Sequence, residues 1–102
     1  MTERAPLQSS ATTLRILGLL LRHFAHGLTN KDIAETLRLE PSAVTRHVQV
    51  LEAEGFAERI PETGRIRASV RMAQACHAVM VSLESAAARM NETRARITTT
   101  LN

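Results

Sequence analysis

The sequence predicts a mainly α-helical domain with one small β-hairpin, followed by a long C-terminal helix. Apolar residues recur at helical spacing in four segments of the chain. Between the third and fourth segments, a Pro-Glu-Thr-Gly turn at positions 61–64 separates two short runs with an extended pattern, which is typical of a hairpin. With 102 residues, the chain has room for one small domain and one additional element.

Composition excludes several classes of protein. The chain has two Phe and no Tyr or Trp, whereas RNA and single-strand binders stack bases on aromatic side chains. Its single Cys excludes an internal disulfide and fits a reducing compartment. The apolar run at positions 16–21 is too short to span a membrane, and the N-terminal residues lack the layout of a signal peptide. We therefore expect a cytoplasmic protein with no membrane partner.

The positive charge is concentrated in one short stretch. The chain carries a net charge of +3, and residues 59–71 alone hold four Arg against one Glu. The acids and bases of the remaining sequence cancel. A local basic excess of this kind favours contact with a polyanion such as nucleic acid. The alternative is a charged strand edge that discourages aggregation.

The first predicted helix begins at Ser9 or Ser10 and ends at His26, and Gly27 follows as a C-terminal stop. The apolar residues that recur at helical spacing along it and just beyond are Leu14, Leu17, Leu21, Phe24 and Leu28.

Two shorter helices follow. Thr29 and Asp32 form a capping-box pattern at the start of the second, and Pro41 occupies the first position of the third. Residues 38–40 connect them, and Gly55 ends the third helix. Many such turns carry Gly where this chain has Arg38, so we expect a different turn. The residues expected to face the core are Ile33, Ala34, Leu37, Val44, Val48 and Leu51.

The predicted hairpin comprises residues 56–60, the turn at 61–64 and residues 65–70. Gly64 occupies the turn position that requires a positive φ. In the second strand, one face is predicted to carry Arg65, Arg67 and Ser69 and the other Ile66, Ala68 and Val70.

The last helix is predicted from about Met72 to Ile97, a length of about 39 Å. Apolar and small residues alternate spacings of four and three along it, which is a heptad seam. The seam residues are Met72, Cys76, Val79, Leu83, Ala86, Met90, Thr93 and Ile97. A small domain offers too little surface to cover such a helix, so we predict a homodimer. The alternative is a helix that lies on its own domain.

The order helix, short helix, turn, helix, hairpin, long helix is the layout of a winged helix-turn-helix. The predicted organisation is a flexible arm at 1–8, the winged domain at 9–70, a dimerisation helix at 71–97 and a frayed tail at 98–102. The outer face of the third helix carries polar residues at i, i+3, i+4 and i+7, which are Ser42, Thr45, Arg46 and Gln49. Arg and Gln can each make two hydrogen bonds to a base edge in the major groove.

A second group of residues is expected to contact the DNA backbone. Thr29, Asn30 and Lys31 begin the second helix, where N–H groups without a helical partner can bind phosphate. Arg65 and Arg67 in the wing are expected to meet phosphate or the minor groove. Instead of contacting DNA, the outer face of the third helix could be a solvated polar surface, and Thr29 could serve only as a helix cap.

Several segments resemble the IclR-type DNA-binding domain in order and spacing. They include Leu14-Arg-Ile-Leu17, Pro41-Ser-Ala-Val-Thr-Arg46, Leu51-Glu-Ala-Glu-Gly-Phe56 and Gly64-Arg-Ile-Arg67, within a match over about residues 13–69. The second wing strand departs from the family, which has an aromatic residue followed by Leu-Gly where this chain has Ile66 and Ala68-Ser69. The wing and third helix also resemble MarR-type domains.

The resemblance implies a bacterial or phage transcription regulator, usually a repressor, that binds operators as a dimer or tetramer. The family's large ligand-binding domain should follow the last helix, and we expect this domain to stand alone without it.

Two alternatives remain open. The winged domain could instead bind another protein, or it could be a metal-responsive DNA binder. Metal-responsive winged helices use His and Cys ligands, and this chain has His23, His26, His47, Cys76 and His77. Their spacing does not form a ligand set, so we expect no metal and no cofactor. No Gly-rich phosphate loop, nucleophile–base pattern or carboxylate pair is present, and we expect a non-enzyme that binds double-stranded DNA specifically.

Overall fold

A computed structural model of the protein describes residues 8–100. The elements are α1 (Gln8–Arg22), α2 (Asn30–Leu37), α3 (Pro41–Ala53), β1 (Ala57–Arg59), β2 (Ile66–Ala68) and α4 (Val70–Thr100). This order confirms the predicted fold, a winged helix-turn-helix with a long C-terminal helix. Apart from Gln8, the predicted arm lies outside the described residues, as do residues 101–102 of the predicted tail, whereas residues 98–100 continue α4.

The core lies between α1, α2, α3 and the wing. The largest fully buried side chains are Ile16, Leu20, Ile33, Ile66, Val44 and Val48. Because α3 contributes Val44, Val48 and Leu51, its predicted inner face is confirmed. Ile33 and Ala34 of α2 are also buried as predicted, and Leu37 packs at the edge of the core.

The buried face of α1 differs from the predicted one. Leu14 is 66% exposed, and the fully buried apolar residues are Ile16, Leu19 and Leu20. The other four predicted residues are half-buried and pack at the edge of the core, and these are Leu17, Leu21, Phe24 and Leu28. Positions 16–21 hold five large apolar residues around one Gly, so spacing alone cannot select the face. Packing selects it, because α1 contacts α2, α3 and β2 at once. The helix also ends at Arg22 rather than His26, and residues 23–26 form a turn.

Gly27 allows the wing to lie against the connection between α1 and α2. Leu28 and Ile66 exchange two backbone hydrogen bonds of 2.8 Å in an isolated antiparallel bridge. Gly27 has a φ of +69°, and a Cβ placed there would lie 2.7 Å from the carbonyl oxygen of Ile66. A side chain at this position would therefore separate the wing from the helices.

The predicted capping box at the start of α2 is confirmed. The amide of Asp32 donates to Thr29 Oγ1, and the amide of Thr29 donates to Asp32 Oδ2, both at 3.0 Å. At the other end, Arg38 adopts the left-handed conformation with φ 57° and ψ 53°. The chain thus keeps the conformation that Gly usually supplies, and the expectation of a different turn is wrong. A non-glycine residue in this region costs about 1–2 kcal/mol.

The wing is shorter than predicted. β1 and β2 have three residues each and pair antiparallel, with Glu58 opposite Arg67. Gly64 has the predicted positive φ, at +74°. Ile66 and Ala68 are buried as predicted, but Ser69 is also buried and Val70 is 45% exposed. The predicted alternation fails there because the strand ends at Ala68 and α4 begins at Val70.

Ser69 connects the wing to α4. Its hydroxyl donates to the carbonyl oxygen of Gly55 at 2.8 Å and accepts from the amide of Met72 at 3.0 Å. The second bond caps the first turn of α4. The helix therefore begins two residues before the predicted start and reaches Thr100, a length of about 46 Å for its 31 residues.

Most of α4 stands clear of the winged domain. Among its large apolar residues, Met72 packs against the core. Farther along, Val79, Leu83, Met90 and Ile97 are 58%, 59%, 72% and 61% exposed. The molecule is accordingly elongated, with extents of 69 × 50 × 22 Å. Within residues 8–100, none of the helices has an apolar stretch that could cross a membrane.

We predict that Ser69→Ala lowers the free energy of unfolding by about 1–2 kcal/mol, because it removes a helix cap and leaves the Gly55 carbonyl without its donor. Urea unfolding at fixed protein concentration measures this loss. Ser85→Ala, at an exposed position on α4, is the control and should change stability by less than about 0.5 kcal/mol. Equal effects of the two substitutions would contradict the capping assignment.

Candidate nucleic-acid interface

The outer face of α3 presents four polar side chains to solvent. Val44, Val48 and Leu51 are buried on the inner face, and this fixes which way the helix is turned. All the predicted base-contacting residues are exposed on the opposite side, and these are Ser42, Thr45, Arg46 and Gln49. Within the described part of the chain, no hydrogen bond or ion pair engages the guanidinium of Arg46. The structure therefore brings these four residues together as predicted.

Asn30 joins this surface from the start of α2. Its side-chain amide donates to the carbonyl oxygen of Pro41 at 3.1 Å, and its oxygen lies 3.4 Å from Thr45 Oγ1. The Thr45 hydroxyl is also 3.2 Å from the Pro41 carbonyl oxygen. These contacts hold the first turns of α2 and α3 side by side, so Asn30, from the second predicted group, lies on the same surface as the first group.

The neighbours of Asn30 differ in what they can offer a ligand. Thr29 is half-buried, and its hydroxyl accepts the capping hydrogen bond from Asp32. The side chain of Lys31 is 82% exposed and only 4.0 Å from the carboxylate of Glu35. Lys31 is therefore the accessible charge at this edge, while Thr29 maintains the helix start.

The wing arginines are paired with acids from other segments. Arg67 lies 2.8 Å from Glu58 Oε2, its side chain is 23% exposed, and its guanidinium stacks 5.3 Å from the Phe24 ring centroid. Arg65 donates to the Gly27 carbonyl oxygen at 3.3 Å and lies 4.0 Å from Asp32.

Arg59 lies 3.3 Å from Glu52 in the same region. The positive excess at residues 59–71 is thus partly compensated by carboxylates outside that stretch. The structure separates Arg65 and Arg67 into two clusters, although they are two residues apart: Arg67 lies in β2 and Arg65 immediately precedes it.

Sequence patterns missed a cleft between α1 and α3 beside Arg46. The Thr13 hydroxyl and His47 Nδ1 are hydrogen-bonded at 2.8 Å across it. Residues lining the cleft are Ser9, Ser10, Thr13, Arg46, His47 and Val50. Thr13 and His47 are 34 positions apart, and nothing in the local sequence signals their contact.

The His and Cys residues considered as metal ligands do not converge. Between residues 8 and 100, no group of three or more His, Cys, Asp or Glu side chains is placed to hold a metal ion. His47 contacts Thr13, and Cys76 is exposed on α4.

The carboxyl group of Asp32 has a lowered pKa at this site. Hydrogen bonds from the backbone and side chain of Thr29 lower the pKa of Asp32 from its ordinary value of 3.8, and Arg65 and Lys31 act in the same direction. A carboxyl with a lowered folded-state pKa stabilises the protein above its unfolded pKa. That stabilisation is lost as the pH falls through the folded-state value.

We predict that Asp32→Asn lowers the free energy of unfolding at neutral pH. The gap between the unfolding free energies of the wild type and the variant should become smaller below about pH 4. Urea unfolding across this pH range measures the difference. Glu35→Gln removes an exposed carboxylate 4.0 Å from Lys31 and should show no such narrowing. A wild-type advantage that is constant with pH would contradict the role of the charge.

The comparisons with known proteins agree with this architecture. The MarR family model matches residues 9–66, more than half of the chain. An IclR transcriptional regulator from Alicyclobacillus acidocaldarius is 31% identical with a TM-score of 0.58, covering 64% of this chain and 26% of that one. HmgR of Pseudomonas aeruginosa is 27% identical with a TM-score of 0.64, covering 80% and 35%.

An IclR family transcriptional regulator from Brucella abortus shows the same fold, with 21% identity, a TM-score of 0.60 and coverage of 81% and 31%. This chain spans about a quarter to a third of the length of these three proteins. No curated protein sequence matches it. The predicted IclR-type resemblance is confirmed, and the family match shows that the chain belongs to the MarR family of winged-helix transcription regulators.

Proposed function

We propose that the protein is a homodimeric transcription regulator that binds specific duplex DNA sequences and acts as a repressor. The observation that carries this proposal is the outer face of α3. Four polar side chains are exposed there on a helix whose inner face is buried in a rigid core. Winged-helix regulators bind double-stranded DNA, and an α-helix fits its major groove.

Base reading is assigned to the outer face of α3 between Ser42 and Gln49. Arg46 lies in the second turn of the helix, and Gln49 follows one turn later on the same face. The geometry of a guanidinium suits the two acceptors of guanine, and that of a carboxamide suits adenine. Ser42 and Thr45 lie nearer the helix start, where short side chains allow the backbone to approach the bases.

Contacts with the DNA backbone are assigned to the start of α2 and to the wing. Asn30 and Lys31 lie beside the outer face of α3, where they can contact a phosphate flanking the bases. The side chain of Arg65 is 42% exposed, so part of it can reach a second phosphate. The guanidinium of Arg67 pairs with Glu58 and stacks on Phe24, so it stabilises the wing. We expect the same guanidinium to contact a phosphate as well.

Dimerisation is assigned to α4. Its exposed apolar residues recur along one stripe of a helix that its own domain does not cover. Pairing two copies along this stripe would bury it and tie two recognition helices together. A dimer bound to an operator that overlaps a promoter would repress transcription by occupying it.

A protein-binding function is the second candidate, and one observation favours it. Three arginines of the wing, Arg59, Arg65 and Arg67, are engaged by carboxylates, which reduces the basic surface available to DNA. Selection of bound fragments from a pool of random duplexes tests the two functions. Enrichment of a shared sequence, with affinity that falls as salt rises, supports the regulator. If the recovered duplexes share no sequence and binding does not depend on salt, the regulator function is contradicted.

We predict that Arg46→Ala weakens binding to the selected duplex by about 1–3 kcal/mol and relaxes the preference at one base position per half-site. Binding to random duplex should change little. Fluorescence anisotropy with both duplexes measures the contrast. Arg22→Ala removes the same charge from an exposed position at the end of α1 and should leave both affinities near wild type. Equal losses on both duplexes would show that Arg46 binds phosphate and not a base.

We predict that Leu83→Asp converts the dimer to a monomer, because burying a carboxylate without a partner costs several kcal/mol. Light scattering measures the mass, and circular dichroism checks that the winged domain stays helical. Val81→Asp, also an exposed apolar position but off the stripe, is the control and should remain dimeric. A dimeric Leu83→Asp protein would exclude the stripe as the interface.

A further inference from the structure

We propose that the second copy docks on α4 in an antiparallel orientation, which places the two winged domains at opposite ends of a two-helix rod. This inference rests on the dimer of the proposed function and adds its polarity. The occupant of the exposed stripe is thus another α4 running in the opposite direction. Charge and side-chain size along the helix both favour this arrangement.

The stripe defines the heptad positions. One set of seam positions, a, holds Cys76, Leu83, Met90 and Ile97, and the other, d, holds Met72, Val79, Ala86 and Thr93. The positions that flank the seam, e and g, hold Ala73, Ala75, Met80, Ser82, Ala87, Arg89, Arg94 and Arg96. All the flanking charge is therefore positive and lies in the second half of α4.

A parallel dimer would oppose like charges. In a parallel pair each g residue faces the e residue five positions later on the other helix, and these flanking contacts set orientation. Arg89 would face Arg94 of the second copy, and symmetry would repeat this contact. Both arginines line a shallow groove on α4 together with the seam residues Met90 and Ile97, so they border the stripe in this structure.

An antiparallel dimer removes this repulsion. There, g residues face g residues and e residues face e residues of the second copy. With the whole seam in register, Arg89 lies opposite Ser82 and Arg94 lies opposite Ala73 of the second copy. Arg96, which contacts Glu92 at 3.6 Å in its own helix, lies opposite Ala75. The basic flanking positions of each helix thus face uncharged flanking positions of the other.

Side-chain size favours the same orientation. In a parallel dimer, each seam residue faces the same residue of the second copy. Ala86 would then face Ala86, which leaves a gap, and Leu83 would face Leu83 in the preceding layer. In the antiparallel register, Leu83 faces Ala86, and Val79 faces Met90 of the second copy. In these central layers a larger residue meets a smaller one, which keeps the interhelical distance even there. Toward the ends Cys76 faces Thr93, and Ile97 faces Met72, which also packs against its own core.

The exposure of α4 is compatible with this rod. The seam residues from Val79 to Ile97 are more than half exposed where they are large, so no part of the winged domain covers them. In the antiparallel register, the Val70 ends of the two copies lie about 44 Å apart along the rod. A parallel dimer would hold them at the interhelical distance of about 8–10 Å. The antiparallel dimer therefore separates its recognition helices and requires widely spaced half-sites.

The single native cysteine allows a direct test. In the antiparallel register, Cys76 faces Thr93 and lies about 25 Å along the rod from Cys76 of the second copy. Oxidation with copper–phenanthroline should therefore leave the wild-type dimer without a crosslink. Thr93→Cys, at an exposed position, should convert most of the protein to a covalent dimer on a non-reducing gel. Cys76→Ser combined with Thr93→Cys is the control and should not crosslink.

The outcomes separate polarity from dimerisation. Light scattering first establishes the mass of each variant before oxidation. A monomeric wild-type protein overturns the proposed dimer and this inference together. If the wild-type protein is a dimer that crosslinks through Cys76, and the Cys76→Ser/Thr93→Cys control crosslinks through its introduced cysteine, the pair is parallel. This result overturns the antiparallel orientation alone. Dimers in which no variant crosslinks overturn the assigned register.

Discussion

The structure depends on the burial of the inner face of α3 against α1 and α2. Val44 and Val48 are almost completely buried beside Ile16, Leu20 and Ile33. Burying a side chain of this kind contributes about 1.5–3 kcal/mol, so the group sets the rotation and position of α3. The polar outer face follows from this packing, because a 13-residue amphipathic helix with one face fixed must present the other to solvent. The exposed position of Arg46 thus follows from packing on the opposite face of the helix.

The wing is fastened to this core by backbone contacts and ion pairs. Gly27 allows Leu28 and Ile66 to form their bridge, and Ile66 then fills the core from the wing side. Arg65 adds an ion pair with Asp32 of α2, and Arg67, which pairs with Glu58 inside the wing, stacks on the Phe24 ring. The wing is therefore a rigid extension of the helix-turn-helix, and its charges are arranged before any ligand binds. Beyond Ser69 the constraint ends, since α4 leaves the domain and exposes its apolar stripe.

Local signals in the sequence predicted most of the fold. The capping box of Thr29, Pro41 at the start of α3 and Gly64 in the turn all act within a few residues, and the structure has each as expected. The polar face of α3 followed from helical spacing alone. What the sequence could not show depends on distant partners. The rotation of α1 is chosen among nearly equivalent leucines by three neighbouring elements, and Ser69 is buried because its hydroxyl reaches Gly55, 14 positions away. The pairing of the wing arginines likewise requires the strand register and the approach of α2. Arg38 adopts a glycine-like conformation because the surrounding helices fix the turn.

The central claim is that the outer face of α3 is the DNA-binding surface, and amide chemical-shift mapping by NMR tests it most directly. The isotope-labelled protein is titrated with a duplex selected from a random pool. The account predicts that the largest shift changes fall on residues 42–49 and on the start of α2, with smaller changes along the wing. Amides in the second half of α4 should remain unchanged. Changes confined to α4, or none on α3 at a DNA concentration that saturates binding, would contradict the account.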